Sequence, residues 1–65
     1  MSTYSVTGKA QDAITWRLIV TSVDTEEDAA HYAHWLSVKY PKNVYRIHEN
    51  NPDVLIATFI RGRRT

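Results

Sequence analysis

Apolar and polar residues alternate along most of this chain, and the period of the alternation changes once in the middle. Residues 3–7, TYSVT, put Tyr4 and Val6 on one side of an extended segment and predict a short first strand. GKAQDA then reads as a loop opened by Gly8. ITWRLIVTSV, residues 14–23, is rich in β-branched and aromatic residues and predicts a second strand. Ile14, Trp16, Leu18 and Val20 form its apolar, core-facing side, and Thr15, Arg17, Ile19 and Thr21 form the other.

The period then lengthens to that of a helix over residues 25–39. Asp24 or Thr25 can cap its first turn, and Asp24 with Glu27, or Thr25 with Asp28, has the capping-box spacing. Pro41 ends it by restricting Tyr40. At about 100° per residue, Ala29, Tyr32, Ala33, Leu36 and Tyr40 fall on one stripe. His31, His34, Val38 and Glu27 fall opposite, with Trp35 on the shoulder beside them. HYAHWLSVKYP thus has two apolar or aromatic faces, and one sheet can cover only one of them.

VYRIHE (44–49) and VLIATFI (54–60) predict the third and fourth strands, joined by the turn NNPD. Setting Glu49 opposite Asp53 pairs Ile47 with Leu55, Tyr45 with Ala57 and Asn43 with Phe59, which gathers an apolar core face. The fourth strand is apolar on both sides, which argues for a central position. A strand–helix–strand unit also leaves room for an intervening antiparallel strand. The expected fold is therefore α+β: a ββαββ chain forming one four-stranded antiparallel sheet in the order 1-2-4-3, with one helix packed on one face. Residues 1–65 form one domain in this reading, and RGRRT, 61–65, is a frayed basic C-terminal tail.

Composition narrows the function. A chain of 65 residues supports one small domain, with roughly 60% of its unfolded surface buried. It is 43% hydrophobic and 23% charged, the balance of a folded domain. There is no cysteine, so neither a disulfide nor a thiolate is available. No apolar run approaches a membrane span, and the N-terminus lacks the pattern of a signal peptide, so a cytoplasmic protein without membrane contact is expected.

Candidate chemistry is sparse. His31 and His34 are spaced i, i+3, and His48 or Glu27 could add a third zinc ligand. The helical metalloprotease motif, however, spaces its histidines i, i+4 with an adjacent glutamate, so no metal site is assigned. Gly8 and Gly62 are the only glycines, no serine sits in a nucleophile elbow, and Glu27 with His31 reads as a helix surface pair. Neither catalysis nor a cofactor is expected.

Binding remains. The leading expectation is a protein partner, either a second copy in a homodimer or a host protein. It would be held by His31, His34, Trp35 and Val38 on the back of the helix, with Ile19, Val54, Ile56 and Ile60 as a second apolar surface behind the sheet. Small proteins of this design often act as inhibitors or adaptors, for example those encoded by bacterial viruses, an analogy of size alone. The alternative is a nucleic-acid-binding module that uses Arg17, Arg46 and His48 on the outer sheet face with Arg61, Arg63 and Arg64 trailing from it. The formal net charge of +1 supplies no global basic field for that role.

Overall fold

The computed structural model describes residues 2–65. Its elements are β1 (Tyr4–Ala10), β2 (Arg17–Val23), α1 (Glu26–Lys39), β3 (Asn43–Glu49), β4 (Val54–Ile60) and β5 (Arg63–Arg64). One helix packs on an antiparallel sheet, as the α+β reading expects. The sheet has five strands in the order β2-β1-β3-β4-β5, not four in the order 1-2-4-3.

The strand between β2 and β3 is β1, not β4. Seven consecutive residue pairs join β1 to β3, from Tyr4↔Glu49 to Ala10↔Asn43. This needs Gly8, Lys9 and Ala10 to continue the strand. Gly8 belongs there for a steric reason: a Cβ at this position would lie 2.7 Å from Tyr45 Cδ1 and Cε1. The Tyr45 ring therefore lies over the Gly8 backbone, where a strand glycine permits close approach.

Two other expectations fail because strands bulge. Pairing of β1 with β2 runs Tyr4↔Val23, Val6↔Val20 and Thr7↔Leu18, so β2 carries two extra residues. Ser22, in the left-handed region at φ 59°, belongs to the first irregularity, and Ile19 is the extra residue of the second. The expected core face of Ile14, Trp16, Leu18 and Val20 is thereby broken. Ile14 and Trp16 precede the strand, Ile14 is 95% exposed, Leu18 is exposed, and only Val20 packs against the core. In β4, Ile47↔Ala57 is followed by His48↔Leu55, leaving Ile56 as the extra residue. The register differs by two residues from the expected one near the strand centres. That shift preserves the faces, so Tyr45, Ile47, Ala57 and Phe59 are all buried. Beyond the bulge the faces exchange: Leu55 is exposed and Ile56 packs against the core.

The helix starts where the sequence places it. Thr25 is the N-cap, and Asp28 N donates to its Oγ1 at 3.1 Å, with Glu26, Glu27 and Asp28 in the first turn. Its phase is different. The buried residues are Ala29, Ala33, Leu36 and Ser37, while Tyr32 and Tyr40 are exposed. Small side chains at i, i+4 and i+8 bring the helix close to the sheet. This turns Tyr32 to about 90° from the centre of the buried arc. Tyr40 has left the helix as its C-cap.

The C-terminal residues explain the phase. Arg61 and Gly62 have φ of 52° and 79°, the pair of positive values that a two-residue type I′ hairpin turn needs. Residues 61–65, expected as a frayed tail, fold back along β4: Thr65 N donates to Thr58 O at 2.8 Å and Thr58 N to Thr65 O at 3.2 Å. The turn docks on α1. Gly62 N donates to Ser37 Oγ at 2.9 Å, and Ser37 Oγ donates to His34 O at 2.8 Å. Gly62 O lies 3.1 Å from His34 Nδ1, and since a carbonyl only accepts, that nitrogen carries the proton. Arg64 adds an ion pair to Glu26 at 3.2 Å, worth little at this exposure. Ser37→Ala leaves the Gly62 N–H without its acceptor and is expected to cost about 1–2 kcal/mol. Urea unfolding reads that loss, and faster hydrogen exchange in β5 locates it.

Candidate interaction surfaces

The outward side of α1 carries the first surface. Tyr32, Trp35 and Val38 follow one another at intervals of three and are 42%, 50% and 57% exposed. Such residues are neighbours on a helix. His31 is exposed beside them, one turn before Trp35. Lys39 Nζ sits 4.7 Å from the Trp35 ring centroid and 5.7 Å from that of Tyr40, so its ammonium covers one side of the indole. Of the four expected residues, His31, Trp35 and Val38 form a band with Tyr32. His34 is exposed too, but its Nδ1 is committed to Gly62. The periodicity missed Tyr32 because it placed that residue among the core positions.

The opposite face of the sheet has no helix over it. At one end a concavity of about 350 Å³ is lined by Ser5, Thr7, Leu18, His48 and Asp53, among others. Thr7 Oγ1 is 3.1 Å from His48 Nε2, and His48 Nδ1 is 3.2 Å from Asp53 Oδ1. With the carboxylate accepting from Nδ1 of the neutral ring, Nε2 accepts from the threonine hydroxyl. The order hydroxyl–imidazole–carboxylate is that of a nucleophile relay. Here Thr7 lies in mid-strand between β2 and β3, within the ladder rather than beside a nest of free N–H groups that could hold an oxyanion. Asp53 is 81% exposed on its side chain, so water screens its charge. Beside them Ser5 Oγ lies 3.1 Å from Thr21 Oγ1 and donates to Asn50 Oδ1 at 3.0 Å. This polar cluster ties β1, β2, β3 and the β3–β4 turn together.

The six basic residues of the nucleic-acid reading do not share a patch. Arg46 and His48 lie on the open face, and Arg63, opposite Ile60, shares it. Arg64, opposite Phe59, turns to Glu26 on the helix side. Arg61 is in the turn, and Arg17 pairs with Gly8 at the start of β2. What the structure adds is Trp16. The Arg46 guanidinium carbon stacks 4.1 Å from its ring centroid, and Lys9 Nζ is 5.3 Å away. Alternation within a strand had assigned Trp16 to the core, so no sequence signal placed it here.

Among the described residues, no three His, Asp or Glu side chains come together to hold a metal ion: His31 and His34 are on the helix, and His48 is behind the sheet. No helix among them is long and apolar enough to cross a membrane. Compared with known protein families, with curated proteins and with solved structures, the chain shows no significant similarity to any of them.

Proposed function

We propose that this chain is a small binding or regulatory protein that works through protein–protein contact, with the band Tyr32, Trp35 and Val38 on α1 as the contact surface. One observation carries the reading. A helix of 14 residues buries only Ala29, Ala33, Leu36 and Ser37, and the large apolar side chains it leaves out are contiguous rather than scattered. Isolated exposed apolar residues are ordinary. A Trp and a Tyr together on one rigid helix face are the usual anchors of an interface. His31 and Lys39 would supply its polar rim. The partner is a second copy or a foreign protein, and an inhibitor or adaptor role fits a chain that acts by occupying a surface.

The test compares wild type with Trp35→Ala, a change at an exposed position that should alter stability by less than about 0.5 kcal/mol. Sedimentation velocity over a concentration range reads self-association, and affinity capture from cell extract reads foreign partners. A species formed or retained by the wild type should be at least about tenfold weaker with the variant, as hot-spot truncation requires. Identical sedimentation and identical captured proteins for both chains would remove the helix surface from consideration.

A further inference from the structure

We infer a second binding site on the open face of the sheet, where Arg46 and Trp16 take a nucleotide unit of single-stranded nucleic acid. Trp16 would stack a base, and Arg46 with Arg63 would hold phosphates. This goes beyond the helix-face reading and does not depend on it.

The starting observation is an uncompensated cation. Arg46 is in the middle of β3, between Thr7 of β1 and Thr58 of β4. It is partly buried, and its Nε is fully buried without a hydrogen-bond partner. The two contacts of carboxylates with basic side chains among the described residues, His48–Asp53 and Arg64–Glu26, leave it no carboxylate. The Thr7 hydroxyl beside it is engaged with His48. A buried N–H donor normally finds an acceptor. Here its one specific neighbour is the Trp16 ring, which attracts the cation but accepts no conventional hydrogen bond. The remaining N–H donors match an anion with several oxygens, and phosphate fits that fork geometry.

Trp16 is held for this role. Lys9 Nζ donates to Ala13 O at 2.9 Å, Ala10 O at 3.3 Å and Gln11 O at 3.4 Å, which pins the β1–β2 loop leading to Trp16. Lys9 is thus a positioning residue whose donors are already in use. An indole fixed against an arginine on an open sheet is a stacking platform for a base.

Charge selects the occupant. Although the chain is nearly neutral, an acidic group gathers on the helix side. Glu26, Glu27 and Asp28 are in the first turn of α1, and Glu49 shares the helix-side face with Tyr4. On the open face Arg46 and Arg63 are accompanied by Asp53, which is paired with His48 at the far end, and Asp12 lies in the β1–β2 loop. From the ladder spacings, Arg46 and Arg63 are roughly 12 Å apart across the face. Two separated cations beside one aromatic on an open surface suit an extended strand better than a single enclosed nucleotide.

The test is fluorescence anisotropy of a labelled short oligothymidylate with the full chain, at low salt and then over a salt series. Saturable binding is expected, with a slope of log K against log salt of about −1.4, from two phosphates at about −0.7 each. Trp16→Ala should weaken binding roughly tenfold or more. Arg63→Gln, on the edge strand where folding is least at risk, should reduce the slope to about −0.7. Circular dichroism of each variant checks that it is folded. Four results would overturn the proposal: no binding by the folded wild type at low salt, unchanged binding by folded Trp16→Ala, competition by thymidine monophosphate as strong per molecule as by the oligomer, or equal displacement by polyglutamate. The third would mark a free-nucleotide site and the fourth an acidic-protein surface.

Discussion

Ile47→Ala is expected to destabilise the protein by about 3–4 kcal/mol, the cost of emptying a fully buried site. Ile47 has no exposed surface and sits in β3, the middle strand of the sheet. Its ladder partners are Val6 and Ala57, and the helix above presents Ala29 and Ala33. Three of those four neighbours are alanines, which have no rotamers to swing into the space. Much of the cavity therefore stays open. A 65-residue domain has about 3–10 kcal/mol in total, so the change removes roughly a third or more of the stability. Urea unfolding followed by circular dichroism measures this directly. Ile14→Ala, at the most exposed large apolar residue, is the control and should shift stability by less than about 0.5 kcal/mol.

Gly8→Ala should be nearly as damaging, at about 2–3 kcal/mol, although it adds a single methyl group. The added carbon would meet the Tyr45 ring at 2.7 Å, closer than real Cβ contacts come. The ring cannot easily retreat. It is 4% exposed, and its hydroxyl accepts a hydrogen bond from Asn43 Nδ2 at 3.0 Å. In a less crowded strand the same change would be neutral or stabilising, because alanine restricts the unfolded chain more than glycine does. The sign of the effect therefore tests the β1–β3 register. A Gly8→Ala protein as stable as the wild type would contradict the pairing of Gly8 with Tyr45 and the central place of β1.

That glycine also shows where the sequence stopped being readable. Local pattern was sufficient to limit the helix cap to Asp24 or Thr25, for the segments of β3 and β4, and for Tyr45, Ile47, Ala57 and Phe59 as one buried face. Strand order was not local. Gly8 read as a loop because glycine weakens a strand, and its use here depends on a ring 37 residues away in the sequence. With β1 cut short, the apolar fourth strand looked central. Bulges at Ile19 and Ile56 are invisible to a strict period of two, and each reverses the faces beyond it. The last turn was missed because Arg61 is not a residue expected at positive φ. Once that turn is in place, Ser37 is drawn into the core and the helix rotates.

The exposed faces were legible to the same degree. Trp35, His31 and Val38 followed from helical periodicity alone. Tyr32 joined them only because the helix is rotated by its small residues and its bond to Gly62. Trp16 was hidden by the assumption that its segment was already a strand. In the fold it lies before β2, free to cross the sheet and meet Arg46.

Hydroxyl-radical footprinting tests whether another protein covers Trp35. The chain is labelled in dilute buffer, at increasing concentration, and in nuclease-treated cell extract, with oxidation of Trp35 and Tyr32 measured against Trp16 as internal reference. Trp35 and Tyr32 should be protected several-fold either at high concentration or in extract, while Trp16 is unchanged. Trp35 oxidised in the same ratio to Trp16 under all three conditions would contradict that expectation.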